Sequence, residues 1–119
     1  MVKLVYCIRK KPGLSHEAFQ KRWLEVHGPL VKRLREVLPM RRYVQSHTIP
    51  GEGSDGLRAS RGARPAYDGI TEVWLDSLDA LAPSTDAALD AARQLLEDEA
   101  EFIDFADSAV FLTEEHEIF

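Results

Sequence analysis

The stretch from Phe19 to Val37 constrains the fold more than any other part of the chain. It sets Phe19, Trp23 and His27 at four-residue intervals and then runs directly into Gly28-Pro29-Leu30-Val31. At about 100° per residue, Phe19, Trp23, Val26, Leu30, Leu34 and Val37 share one apolar stripe, with His27 on its margin. A helix striped in this way buries one face against a sheet. An imidazole at the edge of the stripe sits where core meets solvent, which suits a pocket wall or a structural hydrogen bond. Ser15 is a good N-cap, and Glu17 places an acid in the first turn. Pro29 has no N–H for the Glu25 carbonyl, so the helix must end or bend there. Because the apolar phase carries on to Val37, a bent continuation is expected.

The elements around this helix follow from alternation and punctuation. Residues 2–9 set Val2, Leu4, Tyr6 and Ile8 against Lys3, Val5, Cys7 and Arg9, the period of a strand, which Pro12-Gly13 stops. After Pro39, residues 40–49 read as a second strand, with Tyr43, Gln45, His47 and Ile49 on one face and Val44, Ser46 and Thr48 on the other. Residues 50–66 carry almost nothing apolar among their Gly, Ser, Asp and Arg residues and read as a mobile surface loop. A third strand over 69–76 alternates Ile70, Glu72 and Trp74 with Thr71, Val73 and Leu75. Ser77 caps a short turn around Leu78–Leu81. Ser84 caps a helix carrying Ala88, Leu89, Ala92, Leu95 and Leu96. Phe102, Ile103 and Phe105 form an apolar return to a last strand over 109–115.

The resulting order, β-α-β-β-α-β, is the split βαβ plan of ferredoxin-like α+β folds. Right-handed crossovers give a four-stranded antiparallel sheet with both helices on one face. The other face is left bare, with Val5, Cys7, Val44, Val73, Leu75 and Phe111 as its expected apolar members. Such a surface calls for a second copy, so a homodimer with sheets face to face is expected.

Composition closes off several classes of function. One domain over residues 1–119 accommodates 45% hydrophobic residues and a real core. A net charge of −5 argues against nucleic acid or an anionic membrane as partner. The basic cluster Lys32, Arg33, Arg35, Arg41 and Arg42 reads as a solvated face. Cys7 is the sole cysteine, which rules out an intrachain disulfide and a cysteine-rich metal site. No apolar run is long enough to span a membrane, and the N-terminal residues lack the pattern of a signal peptide, so a cytoplasmic location is expected. No glycine-rich phosphate loop is present, since Gly51, Gly53 and Gly56 do not lie between a strand and a helix.

The strand end Arg9-Lys10-Lys11-Pro12-Gly13-Leu14-Ser15, followed by Phe19-x3-Trp23-x3-His27-Gly28-Pro29-Leu30, resembles the EthD family. Further matches are Tyr43-Val44-Gln45, Tyr67-Asp68-Gly69-Ile70-x-Glu72-x-Trp74 and Asp98-Glu99-x2-Phe102-Ile103-Asp104. The resemblance covers nearly the whole chain and implies a dimeric α/β barrel built from ferredoxin-like subunits. It also implies small enzymes that need no cofactor and act on lactones and polyketide-derived aromatics, with an active-site histidine at His27.

The candidate site is an unusual polar set on strands that should face the helices. Tyr43, Gln45 and His47 share a face of the second strand, and Glu72 and Trp74 share a face of the third. If the two faces coincide, these residues converge with Tyr6 and Trp23 beneath His27, as polar groups in an apolar pocket. His27 would act as general acid or base, or else fix the helix bend. Tyr43 would donate a proton or polarise an oxygen, or else pack as a core aromatic. Glu72 would assist, or else pair with Arg9 or Arg42. No metal is expected, because His27, His47 and Glu72 lack ligand spacing. The reading is a cofactor-independent lyase or isomerase for a small hydrophobic carbonyl, lactone or phenolic compound. Its rivals are a cofactor-free monooxygenase of the antibiotic-biosynthesis type and a non-catalytic binding protein of a degradation pathway.

Overall fold

Four antiparallel strands, β1 (Val2–Ile8), β2 (Arg42–His47), β3 (Gly69–Leu75) and β4 (Ala109–Glu114), form one sheet in the order β2-β3-β1-β4. The computed structural model describes residues 1–119. The first crossover holds α1 (His16–Arg22) and α2 (Gly28–Leu34), and the second holds α4 (Asp86–Glu99). This is the ferredoxin-like α+β plan expected from the order of elements. Ser15 caps α1 by accepting from the Ala18 N–H at 3.0 Å. The cap of α4 is Thr85, one residue later than the expected Ser84. Its hydroxyl accepts from Ala88 N–H at 3.0 Å.

Between α1 and α2 the helix does not simply bend. Residues Trp23–His27 form a wide π turn in which the Gly28 N–H donates to the Trp23 carbonyl, five residues back. The cause lies two residues further on. Pro29 cannot serve the Glu25 carbonyl, and the chain relieves the conflict by widening the turn before it. The extra residue also shifts the buried stripe. In a regular helix each four-residue step overshoots a full turn by about 40°. The wide turn takes this back, so Phe19, Trp23, His27 and Val31 are all buried while Val26 and Val37 are exposed. The expected stripe through Val26 and Leu30 holds only up to Trp23, and His27 moves from the margin into the core.

The centre of that core is Ile8, Phe19, Trp23, Phe102 and Ile103, each at most 4% exposed. The Phe19 ring lies 5.4 Å from Trp23 and 5.8 Å from Phe102, tilted against both. The return after α4 reaches this cluster by pairing with the end of β1, through Lys11 N–H to Phe102 carbonyl and Asp104 N–H to Arg9 carbonyl, both 2.9 Å. Gly69 is dictated by the same packing. A Cβ there would lie 2.3 Å from the Trp23 ring, so the far edge of the indole packs against a strand that must be bare at that point.

Strand register settles the two faces of the sheet. Leu4, Tyr6 and Ile8 face the helices together with Tyr43, Thr71, Val73 and Leu75. The open face carries Val5, Cys7, Val44, Ile70 and Phe111, with Glu72 paired laterally to both Val5 and Val44. Val73 and Leu75, expected on the open face, are instead 8% and 4% exposed under the helices. Strand alternation groups them with Thr71, and β3 is turned so that this set points inward.

Residues 50–66 are not a loop throughout. They hold a third helix, α3 (Glu52–Arg61), bracketed by Gly51 and Gly62, both at positive φ, with Gly62 as a left-handed cap. None of its residues is buried. Helical propensity is modest with two internal glycines, and the absence of an apolar stripe is why the helix was not visible by periodicity. Only the base of this excursion is tied down. The Arg9 guanidinium donates to the Pro65 and Ala66 carbonyls, and Asp68 accepts from Lys10 N–H at 2.7 Å.

Candidate active site

His27 occupies the last position of the π turn and is 5% exposed. Its Nδ1 lies 2.8 Å from Asp98 Oδ2 on α4, and the other Asp98 oxygen accepts from Arg22. An ionised carboxylate only accepts, so Nδ1 carries the hydrogen. Nε2 has no partner within the chain and is the nitrogen left for the neighbouring cavity. Burial holds the imidazole pKa below its ordinary value, and the Arg22 charge adds to this while Asp98 opposes it. Burial alone would raise Asp98, but hydrogen bonds from Arg22 and His27 outweigh it and keep the carboxyl below the usual range. At neutral pH the ring is therefore uncharged, oriented and able to accept a proton.

The cavity beside it has a volume of about 560 Å³ and runs between the sheet and α4. Nineteen of its 25 lining residues are hydrophobic, so the body of any ligand would meet apolar surface. The polar groups reaching it include Tyr6, His27, Tyr43, Thr71 and Glu99. Tyr43 accepts from Gln45 Nε2 at 2.9 Å, and burial raises its pKa. Glu99 is the least expected member. Burial drives its pKa up to about 7, the Asp98 charge adding to this and the Tyr6 hydroxyl opposing it. Burial and then Glu99 raise the pKa of Tyr6, which stays protonated.

A second cleft shares Val31, Met40 and Tyr43 with this cavity and is rimmed by Lys32, Arg35, Arg41 and Arg42. The basic cluster thus borders a cleft rather than lying on an open face alone. Arg41 is engaged by Asp76 and Arg35 by Glu36.

A model of the EthD domain matches residues 11–106. The chain belongs to the EthD family. Solved structures share the fold along nearly the whole chain. An EthD family protein from Bacillus halodurans superposes with a TM-score of 0.62 at 20% identity, covering 98% of this chain and 99% of that one. HapK from Hahella chejuensis gives 0.60 at 12% identity, covering 100% and 97%. A dimeric ferredoxin-like protein of unknown function from Thermobifida fusca gives 0.58 at 16%, covering 94% and 88%. Comparison with functionally curated proteins found no match.

Within this EthD domain the sequence-derived candidates divide by face. Tyr6, Trp23, His27 and Tyr43 line the cavity together. Glu72 and Trp74 do not join them. They lie on the open face, because β3 turns Thr71, Val73 and Leu75 inward. The Glu72 carboxylate is 2.6 Å from Lys3 Nζ, so its partner is neither Arg9 nor Arg42. Trp74 donates to Glu115 and is flanked by the cations of Lys3 and Arg42. Gln45 and His47 share the inward face but stand behind the cavity. Gln45 donates to the Trp23 carbonyl at 2.9 Å, bracing the wide turn, and accepts from His47 Nε2 at 2.8 Å. The His47 ring stacks on Trp23, with ring centroids 4.3 Å apart. Asp98 and Glu99 escaped the site reading, although both stand in the Asp98-Glu99 motif. Consecutive acids on an amphipathic helix look like a solvated face until a facing histidine and an adjoining cavity are known.

Proposed function

We propose that this EthD protein takes a small hydrophobic carbonyl, lactone or phenolic compound into its cavity and moves a proton on it without a cofactor, as a lyase or isomerase. The observation that carries the reading is His27, a neutral imidazole locked by Asp98 at the wall of an apolar cavity. Such a group has the protonation state and orientation of a general base. Tyr43, protonated and braced by Gln45, is placed to polarise the substrate oxygen. The open face of the sheet supports a homodimer as the working unit. It carries Val5, Cys7, Val44, Ile70 and Phe111, and the structural neighbour from Thermobifida fusca is described as dimeric.

The test is His27→Asn, assayed on a panel of lactones, anthrones and phenols. Asparagine keeps a donor for Asp98 but transfers no proton near neutral pH. Stability should change by about 1 kcal/mol or less. Turnover should fall by roughly 10²–10⁴ if the imidazole is the base. Wild-type turnover by the variant on a confirmed substrate would end the reading and leave His27 as a brace for the helix bend.

A further inference from the structure

Glu99 is a half-buried carboxyl on the cavity wall for which the mechanism above has no use. It leaves α4 one residue after Asp98, and the two side chains part company. Asp98 turns to Arg22 and His27, whereas Glu99 enters the cavity. No lysine or arginine approaches it there. Its polar neighbour is the Tyr6 hydroxyl from β1, and Asp98 contributes only like charge. From the other elements around the cavity, His27 of the wide turn and Tyr43 of β2 are the titratable groups, and both are uncharged at neutral pH. A carboxyl without a cation in an apolar cavity is costly to ionise, and titratable groups so placed cluster at functional sites.

Building on the proton-transfer reading, we propose that Glu99 is a second catalytic residue, which gives a proton to the substrate oxygen while His27 removes one from carbon. The ligand class follows as a ketone or related carbonyl compound with an acidic hydrogen on the adjacent carbon. In the forward step His27 Nε2 takes that hydrogen as a proton. The C–H electron pair becomes the C=C bond of an enol, and the carbonyl π pair moves onto oxygen. That oxygen takes the proton of the Glu99 carboxyl, leaving an imidazolium and a carboxylate. Return of a proton from the imidazolium to carbon, and of the enol proton to Glu99, restores both groups without a co-reactant. Near pH 7 an appreciable fraction of the Glu99 carboxyl remains protonated, as the step needs. Tyr6 donates to the carboxylate once it forms.

The experiment uses 2-tetralone as probe, with binding followed by NMR and exchange of its α-hydrogens followed in D₂O. Wild type, Glu99→Gln and His27→Asn are compared from pH 5 to 9, with circular dichroism as the check on folding. Wild-type protein should accelerate exchange, with the rate falling on the alkaline side of about pH 7 as Glu99 ionises. Glu99→Gln should lose roughly 10²-fold or more in kcat with little change in KM and should lack that alkaline limb. Glu99→Asp should recover part of both, because it restores the acidic proton; no recovery, with the fold intact by circular dichroism, would count against the carboxyl as the proton donor. A fully active Glu99→Gln beside an inactive His27→Asn would overturn the role of Glu99 and leave that of His27 standing. Failure of the wild-type protein to bind the probe or speed its exchange would overturn both.

Discussion

Asp98 and Glu99 are adjacent in sequence and carry the same functional group, yet their surroundings push them in opposite directions. Asp98 meets a guanidinium and an imidazole and stays ionised, while Glu99 meets hydrocarbon and a phenol and holds its proton up to about pH 7. The difference has a consequence for folding. The unfolded chain releases the Glu99 proton near pH 4.5, the native state only near 7. Stability supplied by the protonated carboxyl is therefore present below pH 4.5 and is lost as pH rises through that window. The shift corresponds to a loss on the order of 3 kcal/mol. His27 works the other way, because its native pKa is depressed, so stability falls as pH drops below about 6.5. Replacing Glu99 by Gln should remove only the first contribution. Urea unfolding should then show the variant gaining on the wild type by about 2–3 kcal/mol between pH 5 and 8. Parallel stability curves would contradict the burial of a titrating carboxyl.

At the scale of the elements, strands were readable wherever side chains alternate cleanly, whereas of the expected caps only Ser15 makes its bond, Ser77 making none and Thr85 replacing Ser84. β1 through β4, the Ser15 cap and the order of the fold all follow from such signals. Three things were not readable. One is which face of β3 points inward, since Ile70, Glu72 and Trp74 are as plausible against a helix as Thr71, Val73 and Leu75 until the register against β1 is known. That single rotation removes Glu72 and Trp74 from the site and brings in Thr71. Another is the π turn, because a 3.6-residue period assumes that no residue is inserted. Pro29 announced a disturbance without saying that the turn would widen and carry His27 inward. α3 presents a third case, since its residues show no stripe and bury nothing. A ten-residue helix of that kind has little to hold it. Limited trypsin digestion should cut first at Arg58, Arg61 or Arg64, before any site in α1 or α4. First cleavage within α1 or α2 would show that α3 is held by contacts beyond its own chain.

For the whole molecule, the sheet separates two kinds of surface. One side holds the core and the cavity, and the other presents a strip of Val5, Cys7, Val44, Ile70 and Phe111 to the outside. Cys7 lies on β1, a central strand, between Ile70 and Ala109 of its neighbours. Its thiol is half-buried in the single chain, and burial already raises its pKa. Since the chain has no other cysteine, the fold comes with a built-in chemical reporter of its own assembly. Under a fixed dose of a thiol-reactive dye, the labelling rate should fall as protein concentration rises through the dissociation constant of a face-to-face dimer. Denatured protein would label at one rate throughout and supply the reference. A native rate independent of concentration, at a single-chain mass by light scattering, would mean that the strip stays open to water.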